Sequence, residues 1–376
     1  HALSQEAVYV ELSPTHRAQL HGRVGEALER LLVGAPDPPL ADLARHFGAA
    51  GDPRKAMDYA MRAGHRAMDQ LAFQEAASLY EHALRAFDRY GGGEVAERGE
   101  ILLALGRAGL ESEDLVTAKR ILVEAAAAGR SSGSGSLLAR AALARAQSPV
   151  RLGATDPEVS ALLEEALERL SPEQDPTLHV RLMSRLGAEL WYTEPSRAAG
   201  LLDEALAASR ALGDNAALAR TLHWRSNVSD GPDAIEEALA HSDELLRLAM
   251  RTGDDEAAEM AHRGRATWLL FQGDREALDK EIEAARRVIV RRDTLGGRAL
   301  MDCLDAMRAL LEGRFEQAEK FNRRSLAWVL RHPDPADLAR VGGQLAVLLL
   351  QQGRLEELER ALQQLETRFP ELQVAH

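Results

Sequence analysis

Cysteine is nearly absent: the 376-residue chain carries one, Cys303. An internal disulfide framework is therefore excluded, and the composition fits a reducing, cytoplasmic setting. Cys303 falls in an apolar helical pattern over Gly297–Leu311 and reads as a small core residue. Aromatic residues are scarce too, at 4%. No β-branched or aromatic run supports a strand. No apolar stretch approaches the roughly 20 residues a membrane helix needs, and there is no signal peptide. Positive charge is outnumbered, with 46 Lys and Arg against 59 Asp and Glu and a net charge of -13. Binding to nucleic acid rests on cations neutralising phosphates, so direct contact with DNA or RNA is not expected. A Gly-x-x-x-x-Gly-Lys-Ser/Thr loop is missing as well, so neither ATP nor another cofactor is expected in this chain.

Helix-forming Ala, Leu, Glu and Arg fill the sequence instead, punctuated by Pro and Gly. Ser13-Pro14, Asp52-Pro53, Asp156-Pro157 and Ser171-Pro172 each place an oxygen acceptor before a Pro at the first helical position. Glu194-Pro195 and Gly231-Pro232 read as further helix starts with weaker caps. Gly51, Gly213, Gly253, Gly273, Gly313 and Gly353 each follow an apolar helical pattern and read as left-handed stops. The spacing is regular. Gly273, Gly313 and Gly353 recur every 40 residues, and Gly213 and Gly253 are also 40 apart. A fixed period of this size is the mark of a helical solenoid. The expected fold is all-α: a right-handed superhelix of about nine helix pairs. The Ser/Gly-rich stretch at 131–136 reads by composition as a flexible loop, either dividing a front array (36–130) from a rear array (137–376) or serving as a long inter-helix turn, the favoured reading.

The segment Met57–Asp88 resembles a tetratricopeptide repeat position by position. Ala60, Ala63, Gly64 and Ala67 occupy the small positions of its first helix, and Ala76, Tyr80, Ala83 and Leu84 those of its second. A wider resemblance covers nearly the whole chain. It is carried by Val8-Tyr9 with Leu12, Arg17 and His21, by Leu43–Phe47 with Ala50-Gly51-Asp52 and Tyr59, by Asp203–Leu206 with Arg210–Asp214, and by Leu310–Phe315 with Ala318. These residues resemble the C-terminal helical region of bacterial signal-transduction (STAND/AAA-type) ATPases: large LuxR-type regulators, SARP-type regulators and cyclase-fused relatives. The resemblance implies that residues 1–35 end a winged-helix or linker segment, that an ATP-binding ATPase lies upstream in the parent protein, and that this chain is its sensor arm. The start at His1 rather than Met agrees with a piece of a larger protein.

Catalytic patterns are weak. Gly129–Gly133 spells Gly-x-Ser-x-Gly with Ser131 at the nucleophile position, but that motif needs a strand-to-helix elbow and none precedes it. The 12 histidines lack the i, i+4 spacing of a helical zinc pair, so neither a metal site nor an enzyme is expected. The aromatics cluster more usefully. Trp191 and Tyr192, Trp224, and Trp268 with Phe271 fall late in the first helices of three successive units. The repeat register puts Arg225, Arg263, Thr267 and Phe271 on the inner face, where aromatic surface and arginine forks suit an anionic or planar ligand or a peptide carboxylate. The competing and favoured reading makes the tryptophans packing residues between helices, and Trp268, one step off that register, supports it.

The expected function is an interaction or sensor domain of an ATPase transcriptional regulator. It binds a small inducer or protein segment in its groove and controls ATPase assembly, and self-association is compatible with this role. Two other functions share the architecture: the regulatory arm of a signalling enzyme such as a nucleotide cyclase, and a plain protein–protein adaptor.

Overall fold

The computed structural model describes residues 12–31, 38–112, 114–147, 156–191, 193–228, 234–292, 295–331 and 335–368. Among them there are eighteen helices and no strand. The chain divides into two compact units, residues 1–145 and 146–376.

The first unit holds α1 (Pro14–Leu31), α2 (Leu40–Ala50), α3 (Pro53–Asp69), α4 (Phe73–Tyr90), α5 (Val95–Glu111), α6 (Leu115–Ser132) and α7 (Gly135–Arg145). Each packs on the next in antiparallel fashion, and α5 also touches α7. The repeat expected at Met57–Asp88 is α3 with α4. Ala60, Ala63, Ala67, Ala76 and Ala83 are buried, and Tyr80 is 1% exposed. A Cβ at Gly64 would come within 2.5 Å of the Tyr80 ring. The small residues thus admit the tyrosine between the helices, as the repeat pattern requires.

The stretch 131–136 is a short inter-helix turn rather than a flexible loop. Helix α6 runs through Ser132, Gly133 turns with φ 71°, and α7 starts at Gly135. Composition misleads here because the small residues serve packing. A Cβ at Gly129 would lie 2.7 Å from the Leu138 backbone nitrogen, so glycine permits the close approach of α6 and α7. The boundary between the units lies between Arg145 and Ala146 instead.

The second unit holds α8 (Pro157–Arg169), α9 (Pro176–Leu190), α10 (Pro195–Leu212), α11 (Asn215–Asn227), α12 (Ile235–Thr252), α13 (Asp255–Gln272), α14 (Arg275–Arg292), α15 (Leu295–Leu311), α16 (Phe315–Val329), α17 (Pro335–Gln351) and α18 (Leu355–Arg368). Sequential neighbours pack in pairs, and α9 also touches α11, α11 touches α13, and α15 touches α17. The odd-numbered helices therefore stack as α9 with α11 and α13, and as α15 with α17; together they are named the A layer below, and α10, α12, α14 and α16 are their B partners. All six glycine stops named in the sequence have positive φ, from 66° to 81°. Gly213 and Gly253 close B helices, while Gly273, Gly313 and Gly353 close A helices. The 40-residue period is one A helix, one B helix and their two short turns.

Prolines 14, 53, 157 and 195 open helices as expected. Pro172 does not: it lies in a turn, and the next helix opens at Pro176 behind Asp175, whose carboxylate accepts from the Leu178 amide at 2.9 Å. The Gly231-Pro232 start lies outside the described residues, as do the first eleven residues of the segment at 1–35.

Candidate functional site

Helices α11, α13, α15 and α17 begin at residues 215, 255, 295 and 335, in 40-residue steps. Equivalent positions can therefore be read down the A layer. One row contains His223, Arg263 and Cys303; another contains Asn227 and Thr267; a third contains Arg220, Leu300 and Arg340. The rows lie on one stripe of each helix, since their members are three or four residues apart.

Phe271 is 69% exposed at the last turn of α13, one turn beyond exposed Thr267, whose hydroxyl donates to the Arg263 carbonyl at 3.0 Å. Arg263 is half-buried on the same stripe. On α11, exposed Arg220 precedes buried His223. Burial, with help from the Arg263 and Arg220 guanidiniums, pushes the His223 imidazole down to about 3. This side chain stays neutral, and the two arginines are the charged groups beside it.

The tryptophans hold helices together. Trp268 Nε1 donates to the Ser226 carbonyl at 2.8 Å, tying α13 to α11, and its ring lies 5.8 Å from that of Phe271. Trp224 carries the Arg185 guanidinium over its ring at 5.4 Å, tying α11 to α9, and lies 5.0 Å from the His223 ring. Arg185 itself pairs with buried Glu189. Trp191 is half-buried at the end of α9. Tyr192 lies outside the described residues.

Arg225 departs from its expected place. It donates to Asp203 on α10 at 2.7 Å, to Glu237 on α12 at 3.0 Å and to the Val228 carbonyl at 3.0 Å, and its side chain is 12% exposed. Its fork points between the two B helices rather than out from the A layer. The residue lies two positions past His223 and two before Asn227, and at about 100° per residue this puts it on the side of the helix away from that stripe. Of the expected site residues, the structure brings Arg263, Thr267 and Phe271 together on the open A face, sets Trp224 into packing beside it, leaves Trp191 half-buried at the end of α9, and turns Arg225 away.

Arg220, His223 and Arg185 were not anticipated. Subtracting the 40-residue period from Arg263 leads to His223, so the repeat itself held the signal. Ser131 is exposed in the last turn of α6, preceded by helix, and does not form a nucleophile elbow. Among the described residues no group of three or more His, Cys, Asp or Glu is placed to hold a metal ion. No helix among them is long and apolar enough to cross a membrane.

No protein-family model matches the sequence, and no curated protein does. Solved structures share the fold. One is a signal transduction ATPase with numerous domains (STAND) protein with a tetratricopeptide repeat sensor from Pyrococcus horikoshii, at 14% identity and a TM-score of 0.52 over 87% of this chain and 49% of that one. This chain thus spans about half the length of that protein. A Rap protein complexed with competence and sporulation factor aligns at 14% identity and a TM-score of 0.52, over 91% of this chain and 93% of its own. The Rap conjugation gene regulator of plasmid pLS20, in complex with the Phr* peptide, aligns at 14% identity and 0.52, over 94% and 92%. At this identity the likeness establishes a tetratricopeptide-like helical repeat fold and nothing finer.

Proposed function

We propose that this chain is the sensor and interaction domain of a signal-transduction ATPase that regulates transcription, and that it takes a protein segment or inducer on the A face of its second unit. The observation that carries this reading is the stripe of half-buried Arg263 and exposed Thr267 and Phe271 on α13, continued on α11 by exposed Arg220. An exposed phenyl ring beside guanidinium groups offers an apolar anchor and charged forks on one rigid surface. The packed tryptophans support it from beneath, because Trp268 and Trp224 fix the spacing of α9, α11 and α13. The likeness in fold to a STAND protein's repeat sensor and to two peptide-complexed Rap proteins agrees with it. Control of the ATPase follows if the bound segment prefers one assembly state over another.

The test begins with a displayed peptide library selected on this chain. Phe271→Ala with Thr267→Glu should abolish enrichment while the helical melt stays cooperative. In the parent protein, a selected peptide should then change nucleotide turnover and the assembled fraction together. Enrichment that survives the double substitution contradicts the face, and a bound peptide that moves neither readout contradicts the ATPase role.

A further inference from the structure

Helix α1 is held more lightly than its neighbours. Of its 18 residues only Gly25 is buried, whereas the 11 residues of α2 bury Leu40, Leu43, Ala44 and Phe47. Gly25 sits on the Phe47 ring, where a Cβ would come within 3.0 Å, and Leu28 packs at the edge of the same cluster. Apolar burial this small puts an element at the low-stability end of its domain. Polar, titratable contacts supplement it.

Two such contacts join α1 to the helices that follow. His21 Nδ1 lies 2.9 Å from His46 Nδ1 on α2. One ring donates and the other accepts, so the facing nitrogens share one proton and have no room for two. Glu29 accepts from Lys55 Nζ at 2.8 Å and from the Tyr59 hydroxyl at 2.5 Å, both on α3. Lys55 also lies over the Phe47 ring, 4.4 Å from its centre. The other charged groups around these contacts are Arg45 and Asp42 beside His46, Asp52 and Glu26 beside Lys55, and Arg62 and Asp58 beside Tyr59. Arg45 Nη2 is 3.3 Å from His46 Nε2. His82 of α4 lies against α2 at Gly48, with Arg85 and Arg89 beside it.

We propose that α1 is an acid-released strap, docked on α2 and α3 through these two contacts and freed from them when the solution acidifies, while α2 to α4 stay folded. Burial, then Arg45 and His21, hold His46 below its ordinary value against the pull of Asp42. Burial raises Glu29, but the hydrogen bonds from Lys55 and Tyr59 and the Lys55 charge outweigh it and hold the carboxyl below the usual carboxylate range. Docking therefore favours the neutral imidazole and the charged carboxylate. A group lowered in the docked state stabilises docking above its free value and loses that effect as the pH falls, so both contacts weaken in the same direction. His46 acts first, below about 6.5, and Glu29 follows below about 4.3. Burial lowers His82 as well, but its contact is between α2 and α4, so it serves as a control. The strap belongs to the first unit and does not depend on the ligand face of the second.

The test is hydrogen exchange of the whole chain by mass spectrometry at about pH 7.5 and 5.5, corrected for intrinsic exchange, with α4 as the internal reference. Between the two values the protection of α1 relative to α4 should fall about tenfold, the loss one such group gives over the pH unit below about 6.5. His46→Gln should remove that fall, and His82→Gln should leave it. Glu29→Gln should lower α1 protection severalfold at both values, because Lys55 loses its charged partner. Unchanged α4 protection shows that the rest of the unit is folded in each variant; should His46→Gln disturb α4, His46→Asn takes its place. Protection of α1 that falls only in step with α4, or that stays constant between the two values, overturns the strap. So does a full fall retained without the imidazole of His46.

Discussion

At the scale of single residues, His223 shows how the site's electrostatics reach stability. Burial, then Arg263 and Arg220, hold its folded value at about 3, against about 6.5 in an unfolded chain. The folded state therefore binds fewer protons than the unfolded state between those values, and stability falls as the pH drops below about 6.5. The loss is about 1.4 kcal/mol per pH unit for one such group. Between pH 6.5 and 5 His223→Gln should spare the chain about 2 kcal/mol of acid destabilisation, measured from urea midpoints at the two values. Equal losses in both proteins would refute the assignment. Arg225 makes the opposite point. It looked like a ligand fork because it follows Trp224 and sits in an expected inner register. Its partners Asp203 and Glu237 belong to helices 22 and 12 residues away, and no local pattern announces them. Arg225→Ala should lower stability by about 1 kcal/mol in a thermal melt and leave peptide capture intact; lost capture at unchanged stability would return Arg225 to the face.

At the scale of elements, the turns were the most legible part. In Gly253-Asp254 the glycine ends α12 at φ 69° and the aspartate opens α13 by accepting from the Glu256 and Ala257 amides at 3.0 Å. Gly213-Asp214 does the same between α10 and α11. One residue stops a helix and the next starts another, so such pairs can be read without knowing what packs around them. The turn between α3 and α4 breaks the rule. Leu71 takes φ 59° and is 73% exposed, a conformation that disfavours a branched side chain. Leu71→Gly should raise stability by about 1 kcal/mol, since little burial is lost and left-handed strain is relieved; an unchanged or lower midpoint in chemical denaturation would show that the leucine has contacts that matter more. Stretch 131–136 was illegible for a related reason. Gly and Ser mark both flexible loops and tight helix crossings, and only the approach of Leu138 to Gly129 separates the two cases.

At the scale of the whole molecule, the 40-residue period carried most of what the sequence could say. It marked helix pairs and their phase, and it held, unread, the equivalence of His223, Arg263 and Cys303. It could not place the division after Arg145, because that division depends on contacts between helices and not on the helices themselves. The face that the period does order is the centre of the functional proposal. It is tested most directly by placing a photo-crosslinking residue at Phe271 on the A face, or at Met250, 77% exposed on the B helix α12, and irradiating each protein with a library-selected peptide. Crosslinking from position 271 and not from 250 is the predicted result; crosslinking from 250 and not from 271 would contradict the assignment of the ligand face.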